Sequence, residues 1–203
     1  MPLDSLESTL VHEMSDLLSA ETQFARALQQ VAKAADSEPV KQMAQEHHAE
    51  TLQQIETLKQ AFSVVGQKPE RVTCKAAQGL VEENSSTLKE EKPKGAFKDI
   101  ALVGGCLRVE HYEIAGYTAA IAVARALGQR EVVQLLTQIL KQEQATAKKL
   151  EAAAPPLLQA AKGNESISAQ PASKSGGAKK SGAAAKTGGA KSAAKGGAKK
   201  ATK

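Results

Sequence analysis

Apolar residues return every three or four positions along most of the first 154 residues. Leu10, Met14, Leu17, Leu18, Phe24, Ala25, Leu28 and Ala32 line one side of a first helix. A break at 35–36 ends it. Asp36 or Ser37 is placed to cap a second helix with Pro39 in its first turn, carrying Val40, Met43, Leu58, Ala61 and Val65. Gly66 to Pro69 ends that one. A shorter helix is predicted from Thr73 to about Glu90, followed by the break EEKPKG at 90–95. A long helix then runs from about Ala96 to Leu127, closed by Gly128. The last runs from about Arg130 to Ala153, where Pro155-Pro156 is expected to stop it. No segment carries the period-two alternation of a strand.

Short loops force consecutive helices to lie antiparallel, so the loops at 35–36 and 128–129 define two hairpins. The stretch 66–95, with its short helix, joins them. Two long-helix hairpins linked by one long connection predict an all-α, ferritin-like four-helix bundle with an extra short helix in the crossover.

The apolar stripes have an anomaly. Each long helix interrupts its stripe with a carboxylate: Glu21 in the first, Glu50 beside His47 in the second, Glu110 and Glu113 in the third, Glu143 in the fourth. Their heights agree as well. Glu21 and Glu50 are equidistant from the first loop, and Glu113 and Glu143 from Gly128. Each lies about 14–15 residues from its turn, or roughly 21 Å along the axis. A single glutamate in a stripe is ordinarily a boundary residue, and a single histidine a core residue with its hydrogen bonds made. Four helices with acids at one level form a different pattern. Buried unpaired carboxylates cost several kcal/mol and repel one another. They could share protons, pair with basic side chains or bind cations. No lysine or arginine falls on these faces near this level, so a dinuclear metal site is the simplest compensation. Hard oxygen donors with one imidazole suit two iron or manganese ions. The candidate ligands are Glu21, His47, Glu50, Glu110, Glu113 and Glu143. Gln54, His111 and Tyr117 fall close enough to orient them, with Tyr117, one turn from Glu113, in the position of a redox neighbour.

Composition adds a second object. The chain has 203 residues and a formal charge of +5. Residues 162–203 hold ten lysines and one acid, Glu165, for +9, whereas residues 1–161 sum to −4. This division gives a helical bundle over 1–161 and a low-complexity Lys/Ala/Gly tail over 162–203. The tail has nothing with which to build a core and is expected to be disordered. Lys174, Lys179, Lys180, Lys186, Lys191, Lys195, Lys199, Lys200 and Lys203 are spaced to neutralise phosphates of a nucleic acid without reading its sequence. The tail has no aromatic residue and no arginine, which argues against base stacking. A solubilising or membrane-surface role is the alternative. Cys74 and Cys106, the two cysteines, form no CxxC pair. The acidic N-terminal stretch is unlike a secretory signal, and no run is long enough to span a membrane. The expected location is the cytoplasm, associated with the nucleoid if the tail meets DNA.

The segments "DLLSAETQ", "HHAETLQQIETL", "CKAAQGLVEE", "RVEHYEIAGY" and "LLTQILKQEQATAKKL" together resemble the bacterial YciE/YciF family of ferritin-like, stress-associated proteins, over about residues 4–154. The resemblance implies a ferritin-like bundle with a metal site and a homodimer. Ferritin-like di-metal proteins in general place a Glu on each of two helices and Glu-x-x-His on the other two. This chain instead reads His47-x-x-Glu50 and Glu110-x-x-Glu113, and has Thr146 where a histidine would follow Glu143. The expected site is therefore rich in carboxylates and poor in nitrogen. Two functions follow. One is a di-metal oxidoreductase of stress conditions, ferroxidase-like or peroxidase/catalase-like. The other is a non-enzymatic DNA-coating or scaffold protein whose metal site is structural or vestigial.

Overall fold

The structure, a computed structural model, describes residues 3–168, with side chains described to residue 163. The predicted tail lysines from Lys174 to Lys203 lie outside the described residues. Five helices follow one another: α1 (Leu6–Ala34), α2 (Glu38–Val64), α3 (Lys75–Glu90), α4 (Ala96–Ala126) and α5 (Arg130–Ser168). The described residues contain no strand. α1 packs on α2 and α4, α5 packs on α4 and α2, and α3 lies across α1 and α4. This is the two-hairpin bundle that the loop lengths predict.

Local chemistry sets the helix ends. Ser5 and Ser8 cap α1 reciprocally, each hydroxyl accepting the other's backbone N–H at 3.1 Å. Gly66 and Gly128 turn the chain out of α2 and α4 at φ +66° and +68°, a region that side chains disfavour. The start of α2 departs from expectation. Ser37 occupies the cap position, but its hydroxyl makes no capping bond. The cap comes instead from α4, where the buried Asp99 accepts the backbone N–H of Asp36 and of Ser37, both at 2.8 Å. Asp36 returns the favour to α4, accepting Gly95 N–H at 2.6 Å and Lys98 Nζ at 2.7 Å.

The fourth long helix also differs. Pro155 and Pro156 do not stop α5, which continues to Ser168. A proline costs a helix one N–H donor and crowds the carbonyl four residues back. Those carbonyls belong to Glu151 and Ala152, both exposed, so water can take the lost bonds. Leu157 packs against the apolar cluster at that end of the bundle and Ala161 is buried, which holds the continuation in place.

The core is layered along the bundle axis. One apolar cluster joins the start of α1 (Leu10, Met14, Leu17) to the end of α2 (Leu58, Phe62), the end of α4 (Ile121) and the start of α5 (Val132, Leu136, Ile139). A second sits near the Asp36–Asp99 contact and contains Leu28, Val40, Leu102, Val103 and Leu150. Between these two layers lies the level of the glutamates.

Candidate metal centre

His47 on α2, Glu110 and Glu113 on α4, and Glu143 on α5 are all buried. One ligand atom from each lies within 4.8 Å of the others. His47 Nε2 stands 3.2 Å from Glu110 Oε1, an approach that does not close into a hydrogen bond. Glu21 joins from α1 at no solvent exposure, its Oε1 accepting the hydroxyl of the equally buried Tyr117. Glu50 is half-buried at the edge, its Oε2 held by Thr146 Oγ1 at 3.3 Å. Gln54 is buried with its amide towards Glu143, without meeting it in hydrogen-bond geometry.

Helical spacing explains the convergence. Glu110 and Glu113 are three residues apart and share a face of α4, and Tyr117 follows one turn later on the same face. Equal distance from the loops then brings the acids of four helices to one height.

The electrostatics show the cost. Burial, followed by the charge of Glu143, pushes Glu21 well above the usual carboxylate range. Burial does the same to Glu113, with repulsion from Glu21, Glu143 and Glu110 adding to it. Glu110 is pushed up to about 8, burial again the first cause. Glu143 is pushed to about 10 by burial and then by Glu110. Burial, with smaller contributions from Lys149 and His48, holds His47 down at about 4. The half-buried Glu50 raises both Glu110 and Glu143. Without a cation the cluster is thus driven to hold protons. Glu21 Oε2, Glu113 Oε1 and both oxygens of Glu110 and of Glu143 have no hydrogen-bond partner. No lysine or arginine forms an ion pair with any of these acids among the described residues. Buried oxygens aimed at one another without donors are what a cation-binding cage looks like when considered without its ion. Five carboxylates and one imidazole are a hard donor set, compatible with iron or manganese.

Of the nine residues that the sequence singles out for this site, His47, Glu110, Glu113 and Glu143 form the tight group. Glu21 and Glu50 flank it, and Gln54 and Tyr117 lie against it. His111 does not join them. It is exposed on α4, because one residue beyond Glu110 the helix has turned by ~100°. Tyr112, one residue before Glu113, likewise points elsewhere. It donates to Asp16 Oδ2 at 2.8 Å and packs edge-on against Phe24. Thr146 is the residue that sequence reasoning treated only as a missing histidine. It is buried one turn after Glu143 and steadies Glu50, and its position on the Glu143 face was the available signal.

Residues 5–162 match the model of a family described as a domain of unknown function, DUF892. Protein YciF of Escherichia coli K12 is 38% identical over 151 residues, covering 74% of this chain and 90% of YciF. The crystal structure of the E. coli stress protein YciF superposes with a TM-score of 0.75 at 35% identity, over 77% of this chain and 99% of that one. YcfI from Rhodopseudomonas palustris gives 0.71 at 37% identity, over 74% and 97%. A dodecameric thioferritin from Bacteroides fragilis, 15% identical, shares the fold with a TM-score of 0.59 over 80% and 92%. The bundle is ferritin-like, as its topology requires.

Proposed function

This chain belongs to the YciF-like DUF892 family, and we propose that its buried cluster holds two iron or manganese ions in a protein of the stress response. The observation that carries the proposal is the set of unpartnered carboxylate oxygens that α1, α4 and α5 bring to one level beside His47 of α2, with no lysine or arginine paired to them. Glu21, His47, Glu50, Glu110, Glu113 and Glu143 would be the ligands. Bound iron or manganese would supply one-electron redox chemistry, suited to oxidising Fe(II) or consuming peroxide. The chain's own part is to fix that site. Tyr117 orients Glu21, Thr146 orients Glu50, and the apolar layers on either side exclude water. The half-buried Glu50 marks the edge of the site nearest to solvent.

The test is elemental analysis of full-length protein produced with iron and manganese and without chelator. About two ions per chain are expected, with loss in Glu113→Ala and Glu143→Ala. Protein that carries neither metal and takes up neither on reconstitution refutes the assignment. Fe(II) oxidation and peroxide consumption are then measured on the loaded protein. Inactivity with metal retained favours the reading of a structural site in a DNA-coating protein.

That second reading is favoured by the ten lysines of residues 162–203. This segment would bind nucleic acid through phosphates, without sequence preference and with a steep salt dependence. Equal DNA affinity of the full chain and a chain ending at residue 170, on two unrelated duplexes, would remove it. Binding to anionic vesicles in place of DNA would support a membrane-surface role. The homodimer implied by the family resemblance is tested by sedimentation of the same samples.

A further inference from the structure

Beneath α3 the bundle is not filled. A cavity of about 520 Å³ opens between α1, α3 and α4, within the ~300–1,000 Å³ of small-molecule sites. The inner face of α3 roofs it with Val81, Asn84, Ser85 and Leu88, which follow helical spacing. All four remain half-buried although Val81 and Leu88 touch the apolar clusters at either end, and Ala77 is the one fully buried residue of this helix.

The roof is nevertheless anchored. At its N-terminal end Cys74 N–H donates to Ser19 Oγ at 2.9 Å, and the Cys74 carbonyl accepts Gln23 Nε2 at 3.1 Å. Its thiol lies 2.8 Å from the Tyr112 hydroxyl. Halfway along, the Asn84 side chain occupies the notch left by Gly105, where any Cβ would collide with it. Two fixed points on one rigid helix make the void a pre-formed feature of the fold.

The lining has a definite polarity. Phe24, Leu28, Val31, Leu102 and Val109 supply apolar walls. The deep side is closed by Cys106 and by the His47 imidazole, the one member of the buried cluster that lines the cavity. Burial and Glu110 push the Cys106 thiol up to about 12, so it is a neutral, apolar surface there. Lys33 and Lys89, both exposed, lie at the outer side, in the last turns of α1 and α3. Neither is ion-paired among the described residues, and no acid lines the cavity. Their stems can lie along the apolar rim while the ammonium groups stay in water.

An apolar chamber with two unpaired cations at its mouth and no anion complements a molecule that is apolar along its length and negative at one end. We propose that this cavity binds an alkyl monocarboxylate of the medium-chain fatty acid class, with the chain under α3 and the carboxylate at Lys33 and Lys89. A sugar or nucleotide would leave its polar groups against aliphatic walls. A neutral lipid would make no use of the two lysines. The cavity's apolar walls and the two lysines are outside the proposed metal site, and His47 is the one residue that the two sites share.

The experiment is calorimetric titration of full-length protein with dodecanoate below its micellar concentration, beside dodecanol and dodecyltrimethylammonium. One saturable dodecanoate site is expected. Lys33→Glu with Lys89→Glu should weaken dodecanoate at least tenfold and leave dodecanol within threefold. Ala27→Phe on α1 and Ser85→Phe on α3 each fill the cavity from a different wall, and each should abolish binding while circular dichroism stays helical. The exposed lysine pair tests the charge assignment even if both phenylalanine variants misfold. Absence of saturable binding overturns the proposal. So does undiminished dodecanoate affinity in folded phenylalanine variants, which would place the ligand on the lysine-rich segment after residue 170. Dodecyltrimethylammonium or dodecanol binding as tightly as dodecanoate overturns the anionic headgroup.

Discussion

Two sets of buried acids in this bundle meet opposite fates. Asp99, 1% exposed, has both carboxylate oxygens occupied by backbone N–H groups at the start of α2. Glu21, Glu110, Glu113 and Glu143 at the bundle's mid-level are equally buried, yet six of their oxygens have no donor. Asp99 is complete within the protein and ties α4 to the α1–α2 loop. The glutamates lack donors within the protein, as the proposed cation site requires. Burial of an acid is therefore uninformative by itself, and the census of donors around it separates a structural carboxylate from a ligand.

Removing a member of each set should break the contrast in opposite ways. The largest effect is expected on metal. Glu143→Ala should lower metal affinity by at least about a hundredfold, more than the outer partners of metal sites typically contribute, as read by elemental analysis and competition with a chelator. Asp99→Ala should leave metal content intact but strand two backbone donors. The expected loss is about 2–4 kcal/mol of stability in urea titration, with or without metal. A metal-free Asp99→Ala protein as stable as the parent would remove the distinction.

Glu143→Gln sharpens the comparison from the other side. It replaces a carboxyl that must take up a proton on folding near neutral pH with a neutral amide of the same shape, so metal-free protein should gain about 1 kcal/mol while losing metal. Differential scanning calorimetry of both forms checks the sign, and a destabilised metal-free variant would count against a protonation cost at this position. The response to pH follows the same logic. The raised glutamates bind protons more tightly in the folded chain than in the unfolded one. Their contribution to stability is full below the ordinary carboxylate value of 4.5 and is lost as pH rises, through about 8 for Glu110 and about 10 for Glu143. His47, held near 4, acts oppositely below 6.5. Metal-free protein should thus lose stability from pH 6.5 to 10, and metal-loaded protein should not, because a bound cation keeps the acids ionised. The smallest effect belongs to the exposed Asp36–Lys98 pair. Lys98→Ala should cost less than about 1 kcal/mol, and less still in high salt.

The candidate site was legible because its information is one-dimensional. Helical periodicity assigns Glu21, His47, Glu110, Glu113 and Glu143 to inward faces, and distance from each loop assigns their height. His111 sits at the edge of a stripe, where a small rotation of the helix decides between core and solvent, and it is exposed. The Tyr117–Glu21 bond could be guessed only as proximity on a wheel, since residues 96 apart in sequence make it.

Local sequence determined the element order, the two hairpins, the turns at Gly66 and Gly128 and the common level of the acids, because each depends on side chains within a few residues or on equal counts along a rigid rise. Tertiary structure alone decided three other things. It carried α5 through Pro155 and Pro156, since packing of Leu157 and Ala161 outweighs two lost hydrogen bonds whose carbonyls face water. It capped α2 with a carboxylate from α4, more than 60 residues away. And it left a cavity under α3, because the space between helices depends on how side chains from three elements meet, which no single helix records.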